Sequence, residues 1–170
     1  MSNLSRRPRL SGLAFGWVVA AAAVLALLAP SPPAAAQQGG LVTRPSAHAP
    51  RATLDRFAAA VREAGWVVFT EIDHATAARD VGMTLRARTV VLFGNPRTGT
   101  PGMATHPTLA IDLPMRVLVW EDDQGRVFVT RSTGADIAER VFARHGMTIP
   151  PQGQLNTDAF IETLARKAAE

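Results

Sequence analysis

The segment Arg116-Val117-Leu118-Val119-Trp120-Glu121-Asp122-Asp123-Gln124-Gly125-Arg126-Val127-Phe128-Val129-Thr130 decides the fold class. Two β-branched, apolar runs flank a polar connection that ends in glycine. That pattern predicts an antiparallel hairpin over about 116–130. Working backwards, Thr89-Val90-Val91-Leu92-Phe93 and Trp66-Val67-Val68-Phe69-Thr70-Glu71-Ile72 are apolar on both faces, as covered strands are. Leu41-Val42-Thr43 reads as a short first strand limited by Pro45 and Pro50, after a flexible lead-in at Gln37–Gly40.

Helical stripes lie between and after these strands. Thr53 is placed to cap a helix carrying Leu54, Phe57, Ala58 and Val61, with Gly65 as its stop. Asp73 is placed to cap a short helix over His74–Val81, closed by Gly82. Ile137, Ala138, Val141 and Phe142 share a face before Gly146, and a last helix starting near Asn156 or Thr157 buries Phe160, Ile161, Leu164 and Ala168. The expectation is a single compact α+β domain, a mixed β-sheet with helices packed on it.

Composition narrows the function classes. The 170 residues include no cysteine, which excludes disulfides, thiolate metal sites and cysteine nucleophiles. Lys and Arg number 18 against 14 acids, but Arg6, Arg7 and Arg9 fall in an acid-free N-terminal segment. Beyond residue 36 the balance is 15 basic against 14 acidic, with no basic stripe, so nucleic acid is not an expected partner. Residues 1–36 have the three parts of an export signal: those arginines, an apolar run Leu13–Ala29, and Pro30, Pro32, Pro33 before Ala34-Ala35-Ala36. Cleavage after Ala36 is expected, leaving a domain over 37–170 in the periplasm or outside the cell without stable membrane insertion. Ser5-Arg6-Arg7-Pro8-Arg9-Leu10 partly matches the twin-arginine pattern, which leaves the export route open.

Three separated motifs resemble the DUF302 family, a domain of unknown function. They are Glu71-Ile72-Asp73-His74-Ala75; Phe93-Gly94-Asn95-Pro96 with Gly99-Thr100-Pro101 and Met103; and Asp112-Leu113-Pro114-Met115-Arg116-Val117-Leu118-Val119-Trp120-Glu121-Asp122. The specific part covers about 71–131 of the chain. The resemblance implies a compact α+β fold and no established reaction. The chain departs from the family's usual Asn-Asp-Pro-like turn with Arg131-Ser132-Thr133-Gly134, and residues 147–170 add a further turn and helix.

Candidate chemistry is sparse. Gly94-Asn95-Pro96-Arg97-Thr98-Gly99-Thr100-Pro101 follows a strand as a phosphate loop would, but Thr100-Pro101 stands where such a loop needs Lys-Ser/Thr. His48, His74, His106 and His145 form no chelating spacing, and Met83, Met103, Met115 and Met147 are scattered, so no metal or other cofactor is expected; a periplasmic Met/His metal site is the weaker alternative. Glu121, Asp122 and Asp123 read as a solvated turn. If the strands at 66–72 and 89–93 are parallel, their C-terminal ends put His74 and Asn95 on one sheet edge. An antiparallel strand 116–120 would bring Asp112 and Arg116 there, under a long loop 94–112 carrying Thr100. The expectation is therefore a shallow pocket of His74, Asn95, Thr100, Asp112 and Arg116 for a small polar ligand. A protein partner, a homodimer and a cofactor-independent enzyme using His74 and Asp112 remain open, with the balance against catalysis.

Overall fold

The computed structural model describes residues 35–170. A six-stranded sheet runs in the order β1-β2-β6-β5-β4-β3. The strands are β1 (Ala36–Gln38), β2 (Leu41–Ser46), β3 (Val67–Asp73), β4 (Arg88–Gly94), β5 (Met115–Glu121) and β6 (Val127–Ser132). The helices are α1 (Pro50–Glu63), α2 (His74–Asp80), α3 (Pro96–Thr105), α4 (Gly134–Ile137) and α5 (Pro151–Ala169). After α4 the chain continues as a π-helix over Ala138–Phe142 and a 3-10 turn over Ala143–His145. The α+β class, the helices packed on a sheet and the hairpin are as the sequence indicates. β5 and β6 pair antiparallel with Val119 opposite Val129.

The sheet is antiparallel throughout, not mixed. β3 and β4 pair antiparallel, with Val67 opposite Gly94 and Asp73 opposite Thr89. A helix between two strands suggested a parallel crossover, but α2 is only 7 residues long. At 1.5 Å per residue it spans about 10 Å, half of a seven-residue strand, so it cannot carry the chain back along the sheet. It turns the chain round at the strand end instead. Asp73 caps it as expected, accepting hydrogen bonds from the Ala75 and Thr76 backbone N–H groups.

Alternation along the strands sorts the two faces. Val91, Phe93, Val117, Val119, Val127 and Val129 are buried under α1 and α5 with Phe57, Val61, Ile161 and Leu164. The Phe57 and Phe93 rings meet edge to face at 5.2 Å. The intervening Val90, Leu92, Leu118, Trp120 and Phe128 point to the other face and are half-buried. There the Trp120 and Phe128 rings stack at 4.7 Å, and Trp120 donates to the Thr130 hydroxyl at 2.9 Å.

Other boundaries shift for identifiable reasons. The Gln37–Gly40 lead-in is part of a hairpin: Gly39 and Gly40 both have positive φ, the geometry of a type I′ turn, and β1 pairs with β2. A Cβ on Gly40 would also lie 2.5 Å from Asp136 Oδ1. Helix α1 begins at Pro50, so Thr53 sits inside it, fully buried, and its hydroxyl bonds Ser46 and the His48 and Ala49 carbonyls rather than capping the end. Helix α5 begins at Pro151, where proline's preset φ starts a helix without needing its missing N–H. The segment 94–112 is not a loop: Asn95 caps α3 through its side chain, Pro96 opens the helix, and a 3-10 turn over Pro107–Ile111 follows. The expected export signal, residues 1–36, lies almost wholly outside the described residues.

Candidate functional site

At the Gly94 end of the sheet, a cavity of about 650 Å³ opens between the strand ends and the helices. Trp66, Phe69 and Gly94 form the sheet side; Gly99, Gly102 and Met103 come from α3; Leu109, Leu113, Pro114 and Met115 lead into β5; Ile137, Phe142, Met147 and Ile149 close the far side, with Phe160 from α5. The amide and hydroxyl side chains on its lining are Asn95, Thr98, Asn156 and Thr157, beside the Trp66 indole, and among the described residues no charged one lines it. The volume falls in the range that encloses drug-sized ligands.

Local structure explains how each wall is placed. The β3–β4 register shifts between Val68 and Thr70. The unpaired Phe69 of that bulge is re-aimed to the cavity, where it remains 53% exposed. Trp66 packs on Phe160 with ring centroids 4.4 Å apart, joining the edge of β3 to α5. Gly99 and Gly102 keep α3 close to the wall beneath it. A Cβ on Gly102 would stand 3.2 Å from Leu109 Cδ2, and one on Gly99 3.7 Å from Leu113 Cδ1. Three methionines give the lining a soft surface that adapts to ligand shape.

The five residues expected to form one pocket are divided. His74 lies at the other end of the sheet, exposed at the start of α2. The antiparallel β3–β4 register separates it from Asn95 by on the order of 20 Å, the length of the paired strands. Asn95 lines the apolar cavity, while Thr100 is exposed on α3 and is not part of the lining. Asp112 and Arg116 line a separate cavity of about 380 Å³ together with Arg140, Arg144, Asp136 and Ser132. The two cavities meet at Leu113, Met115 and Ile137, which line both.

Asp112 has a partner that no spacing in the sequence suggests. His145 Nε2 stands 2.6 Å from Asp112 Oδ2, and its Nδ1 stands 2.9 Å from Thr108 Oγ1. Arg144 also donates to Asp112. Hydrogen bonding from His145 and then Arg144 holds the Asp112 carboxyl below the usual carboxylate range. Thr108, His145 and Asp112 thus form a hydroxyl–imidazole–carboxylate chain. Thr108 lines neither cavity, and the chain ties the 3-10 turn before β5, and Asp112 on the second cavity, to the turn at His145. Arg116 supports the same corner by donating to the Asp112 backbone carbonyl at 3.2 Å.

At the opposite end, the hairpin acids are more engaged than a solvated turn implies. Arg86 pairs with Glu121 at 2.8 Å and Asp123 at 3.3 Å. Asp122 accepts from the Gln124 and Arg126 backbone N–H groups and folds the turn. Among the described residues no group of three or more His, Asp or Glu is placed to hold a metal ion.

The family model described as "Domain of unknown function DUF302" matches residues 42–159. Two proteins named "Fluoride-specific ion channel FluC 1", from Brucella suis biovar 1 (strain 1330) and Brucella abortus biovar 1 (strain 9-941), are each 41% identical over 101 residues. The match covers 59% of this chain but 40% and 37% of those relatives, so the chain spans about two fifths of their length. The crystal structure of an uncharacterized conserved DUF302 protein from Bacillus stearothermophilus superposes with a TM-score of 0.63 at 9% identity. It covers 77% of this chain and 99% of that one, a likeness of fold.

Proposed function

The chain belongs to the DUF302 family, and we propose that it is an exported binding domain whose ligand occupies the apolar cavity at the Asn95 end of the sheet. The observation that carries this reading is the cavity itself: about 650 Å³ walled by Trp66, Phe69, Met103, Met115, Phe142 and Phe160, with no charged side chain among the described residues on its lining. Enclosing an apolar molecule there removes both surfaces from water, worth roughly 25 cal/mol per Å² of apolar area. The ligand is accordingly apolar in its buried part, not the small polar molecule that a cluster of His74, Asp112 and Arg116 would have served.

The neutral dye N-phenyl-1-naphthylamine tests this reading. It should bind with one-to-one stoichiometry and brighten on binding, and Gly99→Phe should abolish the signal by filling the cavity. An added Cβ at Gly99 meets only ordinary van der Waals contacts, so the backbone there admits a side chain, and a cooperative melt of the variant checks that it folds. Export is supported by the basic, apolar and small-residue parts of residues 1–36. N-terminal sequencing of protein from the envelope fraction should begin within a few residues of Gln37; an intact Met1 in the membrane pellet would refute cleavage.

A second reading rests on the relatives named as fluoride channels. Among the described residues no helix is long and apolar enough to cross a membrane, and the chain matches only about two fifths of those proteins. On this reading the domain works beside a membrane ion channel as a partner rather than as the conductor. Deleting the chain in its host should then raise sensitivity to fluoride; unchanged growth in fluoride would count against the partnership.

A further inference from the structure

Which ligand class the cavity selects depends on the hydrogen-bonding atoms its lining has left over. Resting on the cavity reading above, we infer that the site takes an uncharged apolar molecule bearing a carbonyl oxygen, such as a ketone, ester or amide with an alkyl or aromatic body.

The absence of charge on the lining sets the first limit. An ionised group inside would lose its hydration with no opposite charge to meet it, at a cost that normally neutralises or expels the ion. The second limit comes from the four amide and hydroxyl side chains, each already engaged within the protein. Asn95 Oδ1 accepts from the Arg97 backbone N–H at 3.0 Å. Asn156 Oδ1 accepts from Gln152 Nε2 at 2.9 Å. Each amide oxygen is thus already engaged, and the group each asparagine has wholly unspent is its NH2 donor.

The threonines are spent in the opposite sense. Thr98 donates its hydroxyl to the Asn95 backbone carbonyl at 3.1 Å, and Thr157 donates to the Gly153 carbonyl at 2.9 Å. Neither hydroxyl hydrogen is available to a ligand. Among the described side chains lining the cavity, the polar donors left to a ligand are therefore the two asparagine amides and the Trp66 indole N–H. A molecule that enters must supply an acceptor to use them, and a carbonyl does so without bringing a charge. Asn95, the N-cap of α3, is half-buried and Asn156 of α5 is exposed, so the carbonyl end should sit towards solvent beside these amides and the apolar body within.

Displacement of N-phenyl-1-naphthylamine by three chain-matched probes tests this: 2-undecanone, undecane and undecanoate. The ketone should displace the dye at roughly tenfold lower concentration than either of the others, the effect of one good hydrogen bond. Asn95→Asp and Asn156→Asp keep the acceptor oxygens that Arg97 and Gln152 use and remove the donors. Each should fold, and the ketone's advantage over undecane in displacing the dye should shrink about tenfold. If the dye and all three probes fail to bind, the cavity reading itself fails. If the dye binds but ketone and undecane displace it equally, or undecanoate is preferred, or both Asp variants retain the ketone preference, carbonyl selection is refuted while the cavity reading stands.

Discussion

Arg131 is 4% exposed, in the middle of a face otherwise given to valines, and is held there by two carboxylates of α5. It reaches Asp158 at 2.8 Å and Glu162 at 2.9 Å, and Glu162 also pairs with Arg44. The arginine lies in the stretch where the sequence leaves the family's usual turn, and nothing in its neighbours marks it as buried. Its partners are 27 and 31 residues away on a helix that starts after a proline-bounded turn. Removing it would leave two carboxylates facing a buried hole, so Arg131→Met should cost about 2–3 kcal/mol, measurable by urea unfolding. The Arg131 hydrogen bond holds the Asp158 carboxyl below its ordinary value. Burial pushes Glu162 up, but Arg44 and Arg131 together outweigh that and lower it. Carboxylates with depressed folded-state values stabilise above the unfolded value and lose that contribution as pH falls through the folded one. Melting temperature should therefore drop as the pH falls below about 4, and Arg131→Met should flatten that acid limb.

At the scale of elements, the hairpin and α3 are opposites. The hairpin is written in its residues: alternation in both arms, a polar turn, and Gly125 with positive φ at its end. Val117 and Val119 are each 1% exposed, so Val117→Asp or Val119→Asp should cost several kcal/mol, on the order of the whole stability of the domain. Unchanged melting of both would mean the sheet faces are reversed. Helix α3, by contrast, spells PRTGTPGMAT, with two glycines, an internal proline and three threonines. Such a run reads as loop because its intrinsic propensity is poor. It is helical because Asn95 and Pro96 start it and because its glycines let it lie close over the cavity. A helix held this way should open easily. Hydrogen exchange should show α3 amides exchanging at least about 100-fold faster than those of β4 and β5, with α3 slowing when the cavity is filled. Protection equal to the central strands would mean α3 is not the movable wall.

For the whole molecule, the sequence carries the fold class because apolar periodicity reports which face of an element is buried. It does not carry strand direction across a short connection. That single ambiguity put His74 beside Asn95, whereas the β3–β4 register puts the two at opposite ends of the sheet. The cavity was illegible for a related reason: Trp66, Phe142 and Phe160 read as members of a covered strand and of buried helix faces, and only tertiary packing leaves space among them. Asn95 alone of the five expected residues lines it, and Asp112 finds His145 across 33 residues with no pattern to announce the pair. The most direct measurement of the cavity's role uses the methionines. Met103, Met115 and Met147 line it, while Met83 is 67% exposed and outside it. In a methyl-methionine carbon-13 spectrum, titration with 2-undecanone or N-phenyl-1-naphthylamine should shift all three lining methyls together at one-to-one stoichiometry and leave Met83 in place. Shifts at Met83 alone, or a spectrum unmoved by saturating probe, would contradict a ligand in this cavity.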